Sequence, residues 1–151
     1  MTTKVHGLFE AHLTVANLER SIAFYRDQVG LELAHVVPER QAAFFWIGAP
    51  GRGMLGLWAA GSNPQKTMMH VAFAAALEDI LRAPRTLEST GIVALDFNGR
   101  PTHEAVVLAW MPAASIYFQD PDGHLLEYIA MLAERPRPDE GVVPWHQWIR
   151  R

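Results

Sequence analysis

Residues 8–16, LFEAHLTVA, alternate apolar and polar side chains well enough to predict a half-buried strand. Asn17 then offers a helix N-cap, and LERSIAFYRDQV follows. Within it Leu18, Ile22, Phe24, Tyr25 and Val29 recur at roughly helical spacing, while Glu19, Arg20, Arg26 and Asp27 can face water. Gly30 ends this helix, since glycine takes positive φ without steric cost. Three strand candidates follow: LELAHVVPE (31–39), RQAAFFWIG (40–48) and GMLGLWAA (53–60). The turn formers Pro38, Gly48, Pro50, Gly51 and Gly53 connect them, and GSNPQK (61–66) reads as a linker.

The order then begins again. TMMHVAFAA (67–75) predicts a strand, and LEDILRAPRTLEST (77–90) a helix that Pro84 breaks or kinks and Gly91 closes. GIVALDF, the turn NGRP, the apolar VVLAWMP, SIYFQ, the turn DPDG and the strand HLLEYIAML complete the second half. Each half reads strand–helix–three strands, a repeat that predicts two structurally equivalent modules packed side by side. The expectation is an α+β fold in a single domain, with module one at about 8–60 and module two at about 67–132. The extension 133–151, AERPRPDEGVVPWHQWIRR, is rich in proline and charge and is expected to lie over the surface, anchored by Trp145 and Trp148.

Composition narrows the function classes. The 151 residues are 50% hydrophobic, enough for a core without disulfides, and there are no cysteines. A thiol nucleophile and a cysteine-built zinc site are thereby excluded, and a reducing compartment fits. The net charge of −3, with no basic cluster, favours neither nucleic acid nor an anionic membrane. The start, MTTKVH, lacks the apolar stretch of a signal peptide, and no run approaches the ~20 apolar residues of a membrane span. A cytoplasmic protein is expected.

Candidate chemistry rests on His12 and His70, each in the first strand of its half, and Glu127, in the last strand of the second. Residues so distant in sequence meet only if the halves pair around a shared cavity. Two imidazoles and a carboxylate would then suit Fe, Mn, Ni, Co or Zn with positions open for water, dioxygen or a substrate oxygen. Each residue also has a plainer reading. A lone strand histidine is more often a satisfied core or surface imidazole. Glu127 needs a partner or a metal only if it faces inward, and alternation alone does not choose its face.

The segment HLTVANLERSIAFYRDQVGLEL (12–33) resembles the opening module of the glyoxalase / bleomycin-resistance / extradiol-dioxygenase superfamily, the vicinal oxygen chelate proteins. The histidine in the strand, Asn-Leu-x-x-Ser at the helix start, Phe-Tyr and Val-Gly-Leu carry the likeness, and SIYFQDPDGHLLEY (115–128) matches its end signature. The resemblance runs from Leu8 to about Leu132 and implies two βαβββ modules forming an incomplete barrel around one divalent metal ion. It places the metal ligands on His12, His70 and Glu127. It further implies a small-molecule substrate and a homodimer, the donor set being completed within one chain or across two.

Within the superfamily, glyoxalase I-like members use a fourth ligand, a glutamate in the last strand of half one. Here Gly56, Leu57 and Trp58 stand in that region, which disfavours a lactoylglutathione lyase reaction. Fosfomycin-modifying members share the three-ligand site, yet AVVLAWMPAA (105–114) lacks the cations to clamp a phosphonate. Extradiol dioxygenase-like members place a tyrosine ten residues before the glutamate, and Tyr117 meets that spacing. Tyr117 and, in a loop, His103 are therefore the candidate acid/base groups. His124 is assigned to the DPDG turn. Phe44, Trp46, Trp58, Met68, Trp110 and Met111 are expected on facing strands as an apolar substrate lining. The reading is a metal-dependent enzyme acting on a small oxygen-bearing molecule, with ring-cleaving dioxygenation slightly ahead of thiol or water transfer. The rival is a non-catalytic drug-binding protein.

Overall fold

The computed structural model describes residues 7–59 and 68–150; the N-terminal MTTKVH and the expected linker 61–66 lie outside the described residues. The chain divides into two compact units, Met1–Thr67 and Met68–Arg151.

The first unit runs β1 (Glu10–Val15), α1 (Leu18–Asp27), β2 (Glu32–Val37), β3 (Ala42–Trp46) and β4 (Met54–Ala59). Asn17 caps α1 as expected, its side chain accepting from the Arg20 backbone N–H at 2.9 Å. Gly30, at φ +79°, lets the chain turn back after the helix. The sheet order is β1-β4-β3-β2, with β1 and β4 parallel and the other pairs antiparallel. Side-chain alternation gives the sheet two distinct faces. Leu13 and Val15 are buried with Tyr25, Phe45, Leu55 and Leu57, whereas His12 and Thr14 stand on the opposite, exposed face.

The second unit repeats the plan with β5 (His70–Ala74), α2 (Leu77–Ser89), β6 (Val106–Leu108), β7 (Ala113–Gln119) and β8 (Leu125–Met131). It then adds β9 (Val142–Pro144) and α3 (Trp145–Trp148). Its sheet order is β5-β8-β7-β6-β9, with β5 and β8 parallel. Four of its strands therefore follow the path of the first unit, and together the units make the α+β class expected, with two open mixed sheets.

Three local expectations need correction. Helix α2 is not broken at Pro84 but continues through it. Pro84 lies on the buried stripe with Ile80, Ala83 and Leu87, so packing offsets the missing N–H. GIVALDF runs as irregular chain in which Leu95 makes bridges, to Tyr117 and Pro101. Asp96 diverts the chain because its Oδ1 accepts from the backbone N–H groups of Asn98 and Arg100, a local alternative to a ladder. The apolar run VVLAWMP leaves the sheet after Leu108, putting Trp110 and Met111 in a turn before Pro112, which has no N–H to donate. Finally, the extension does not merely cover the surface, since β9 joins the edge of the sheet along β6.

Candidate metal centre

In the second unit, β5 and β8 lie side by side, and Glu127 is two residues beyond Leu125, the register partner of His70. The offset brings His70 Nε2 to 3.0 Å from Glu127 Oε2. The carboxylate side chain is only 7% exposed and the imidazole 46%. Glu127 thus faces the same side as His70, which periodicity had left open. Its second oxygen, Oε1, is buried with no hydrogen-bond partner among the described residues. A buried carboxylate oxygen without a partner is costly and marks a place for an absent donor or cation.

Tyr117 on β7 pairs directly with Glu127. Burial foremost, and then the neighbouring Glu127 carboxylate, hold its phenol well above the ordinary tyrosine range, so it keeps its proton at neutral pH. The His70 and Tyr117 rings meet edge-on at 6.1 Å, and Phe97 flanks Tyr117 at 6.2 Å. His124 is the residue that sequence reasoning underrated. It is buried, and its Nδ1 accepts the backbone N–H of Met69 at 3.0 Å, tying the β7–β8 turn to the residue before His70.

In the first unit, His12 is opposite Gly56, and Gly56 is opposite Phe44. The imidazole leans over the glycine, where an added Cβ would lie 3.1 Å from His12 Cδ2. Both ring nitrogens have partners: Nδ1 accepts from Trp58 Nε1–H at 2.7 Å, and Nε2 lies 2.9 Å from Glu10 Oε1. Trp58 also stacks on the ring at 5.7 Å with an interplanar angle of 21°, while Phe44 meets it edge-on at 6.0 Å. Glu10 was missed, although its i, i+2 spacing from His12 on a strand puts both on one face.

The remaining predicted residues scatter. Phe44 and Trp46 alternate onto one face of β3, and Trp58 joins Phe44 beside His12. Met68 precedes β5 and is exposed, and Trp110, in its turn, is 58% exposed. Met68, Trp110 and Met111 are thus not the strand residues they were expected to be. His103 lies in an exposed bend, lining a pocket with Pro84 and Glu88 of α2.

Among the described residues, no group of three or more His, Asp or Glu side chains is placed to hold a metal ion. His70 and Glu127 nevertheless fit a divalent ion: adjacent imidazole and carboxylate donors on one face, with a buried oxygen lacking a partner. The sequence carries the matching family signature. Residues 7–128 match the model of the Glyoxalase/Bleomycin resistance protein/Dioxygenase superfamily. The chain belongs to that superfamily. It is similar to a metallothiol transferase FosB from Shouchella clausii, 28% identical over 149 residues, covering 93% of this chain and 91% of the relative. A FosB from Lysinibacillus sphaericus is also 28% identical, over 123 residues that cover 76% and 75% of the two chains. Among solved structures it resembles an integron cassette protein from the mobile metagenome of the Halifax Harbour sewage outfall. That likeness has a TM-score of 0.70 at 35% identity, covering 84% of this chain and 100% of the other.

Proposed function

We propose that this member of the superfamily is a divalent-metal-dependent enzyme adding a thiol or water to a small oxygen-bearing electrophile. Its ligands are His12, His70 and Glu127. The observation that carries the reading is the Glu127 carboxylate, buried beside His70 with one oxygen unpartnered. Fe, Mn, Ni, Co and Zn all suit this donor set. Bound there, the ion supplies Lewis-acid polarisation of a substrate oxygen. Tyr117, protonated at neutral pH, serves as a hydrogen-bond donor to negative charge developing on that oxygen. Phe44 and Trp58, around His12, suit an apolar substrate body.

The likeness to metallothiol transferases moves transfer chemistry ahead of dioxygenation. The uncharged stretch 105–114 argues for an electrophile without a phosphonate. Tyr117, directly across from Glu127, supports ring-cleaving dioxygenation as the second reading. Thiol consumption in the presence of an epoxide supports the first, and dioxygen uptake with a catechol supports the second. We place the enzyme in the cytoplasm as a homodimer; light scattering measures the assembly state.

Elemental analysis of protein purified without chelator tests the ligand set. Stoichiometric metal is expected in the native chain, and less than about a tenth of it in folded His70→Ala and Glu127→Gln, because losing one of three protein ligands leaves the ion weakly held. Unchanged metal in both variants overturns the reading. Tight drug binding that survives chelation identifies a sequestering protein instead.

A further inference from the structure

The two units place their histidines in equivalent frames, and the comparison singles out Trp58. His70 faces Leu125 across a parallel strand pair, and the residue two further along, Glu127, bonds its ring. His12 faces Gly56 across the corresponding pair, and the residue two further along is Trp58, which bonds the ring of His12. One unit sets a carboxylate acceptor beside its imidazole. The other sets an indole N–H, which can only donate.

That reversal has a consequence for His12. A neutral imidazole has one N–H and one available lone pair. Trp58 Nε1–H occupies the lone pair on Nδ1 at 2.7 Å, which assigns the ring proton to Nε2, facing Glu10 at 2.9 Å. Ligation through Nδ1 requires the indole to leave directly. Ligation through Nε2 requires the ring proton to move to Nδ1, where it would point at the indole hydrogen. Either way the bond from Trp58 must break.

We propose that Trp58 is a gate on His12: its indole N–H holds the imidazole in a form unable to ligate, and loading a divalent cation releases it. The proposal rests on the assignment of His12 as a metal ligand. Gly56 makes the closed arrangement possible, since its missing Cβ leaves the space over which the ring lies. Phe44, edge-on to both His12 and Trp58, backs the pair. Trp58 is thus a positioning residue, acting through His12.

The test uses the full chain, stripped of metal, with Zn(II) as the probe. Equilibrium dialysis compares native protein, Trp58→Phe and His12→Ala, while the Trp58 indole N–H is followed by NMR and assigned by its absence in Trp58→Phe. Zn(II) is expected to remove the hydrogen-bonded indole signal of the native protein. Trp58→Phe is expected to bind Zn(II) about fivefold more tightly, the size of one net hydrogen bond no longer broken. His12→Ala should bind at least about tenfold more weakly, as removal of a ligand does. If His12→Ala weakens binding but the indole signal persists and Trp58→Phe binds like native, the gate is overturned and the ligand set stands. If His12→Ala binds Zn(II) like native, the assignment of His12 and the gate fall together. Should Trp58→Phe fail to fold, the indole signal of the native chain is assigned instead by its nuclear Overhauser contacts to the His12 ring, and its loss or persistence on adding Zn(II) decides alone.

Discussion

Glu127 puts a carboxylate where an apolar residue would pack, one oxygen on His70 and the other on nothing among the described residues. A buried acceptor left unsatisfied costs about 1–3 kcal/mol, so the metal-free protein carries a penalty that a cation would relieve. Glu127→Gln replaces the charge with an amide of nearly the same shape. Urea denaturation is expected to find the metal-free variant at least as stable as the native metal-free chain, although the variant no longer holds metal. A loss of more than about 2 kcal/mol would mean that the carboxylate is a structural element of the sheet, as breaking a buried pair would imply. Gly56 gives the complementary case. An alanine Cβ would sit 3.1 Å from His12 Cδ2 and 3.2 Å from Phe44 Cε1, tighter than ordinary contact. Gly56→Ala is expected to cost about 1–2 kcal/mol by overpacking and to shift the Trp58 indole resonance as the imidazole is pushed aside. An unmoved resonance would show that the ring has room to spare. The candidate donors were legible in the sequence as residue types in strands. The resemblance also set His70 together with Glu127, but the Trp58 partner of His12 was not legible, because the two meet only through strand register.

At the scale of elements, legibility followed the strength of local signals. The Asn17 cap, the Gly30 terminator and the alternating strands of the first unit all stand close to where the pattern put them. One failure arose where tertiary contacts outvoted a local preference: Pro84 is tolerated in α2 because its ring lies on the buried stripe. His124 is a second such case. DPDGH reads as a turn, and His124 N–H does bond Asp120 Oδ1 within it at 2.9 Å. Its ring, however, serves β5 by accepting from Met69, and no local pattern signals that reach. His124→Ala removes a buried ring and that acceptor together. It is expected to cost about 2–4 kcal/mol on unfolding and to raise hydrogen exchange at Met69 and His70 well above that at β7. Uniform exchange across the sheet would place the effect in global stability instead of in the tie to β5.

For the molecule as a whole, the repeat in the sequence proved to be a repeat in topology. Each unit pairs its first strand in parallel with its fourth. The extension after β8 breaks this equivalence and lies wholly beyond residues 7–128, the span of the superfamily match. Its strand β9 holds only three residues and ends in Pro144, too short and too irregular for periodicity to reveal. Yet it anchors to the sheet through Trp148, one of the two tryptophans singled out for that role. Trp148 is 2% exposed and packs with Val107, Ala109 and Val143, while the Arg137 guanidinium lies 4.0 Å from its ring centre. Its Nε1–H reaches Glu134 Oε1 at 3.3 Å, so both ends of the extension close on one side chain. If the extension belongs to the cooperative core of the second unit, Trp148→Ala should cost about 3–5 kcal/mol in chemical denaturation, the range for a buried aromatic. Limited proteolysis should then cut residues 133–150 and the β6 region at the same rate, because Val107 loses its cover when β9 leaves. If the extension is an independent strap, the variant will shed it under protease while the remainder unfolds at the native denaturant midpoint. That outcome would confine the core to β5, α2 and β6–β8, the part that mirrors the first unit.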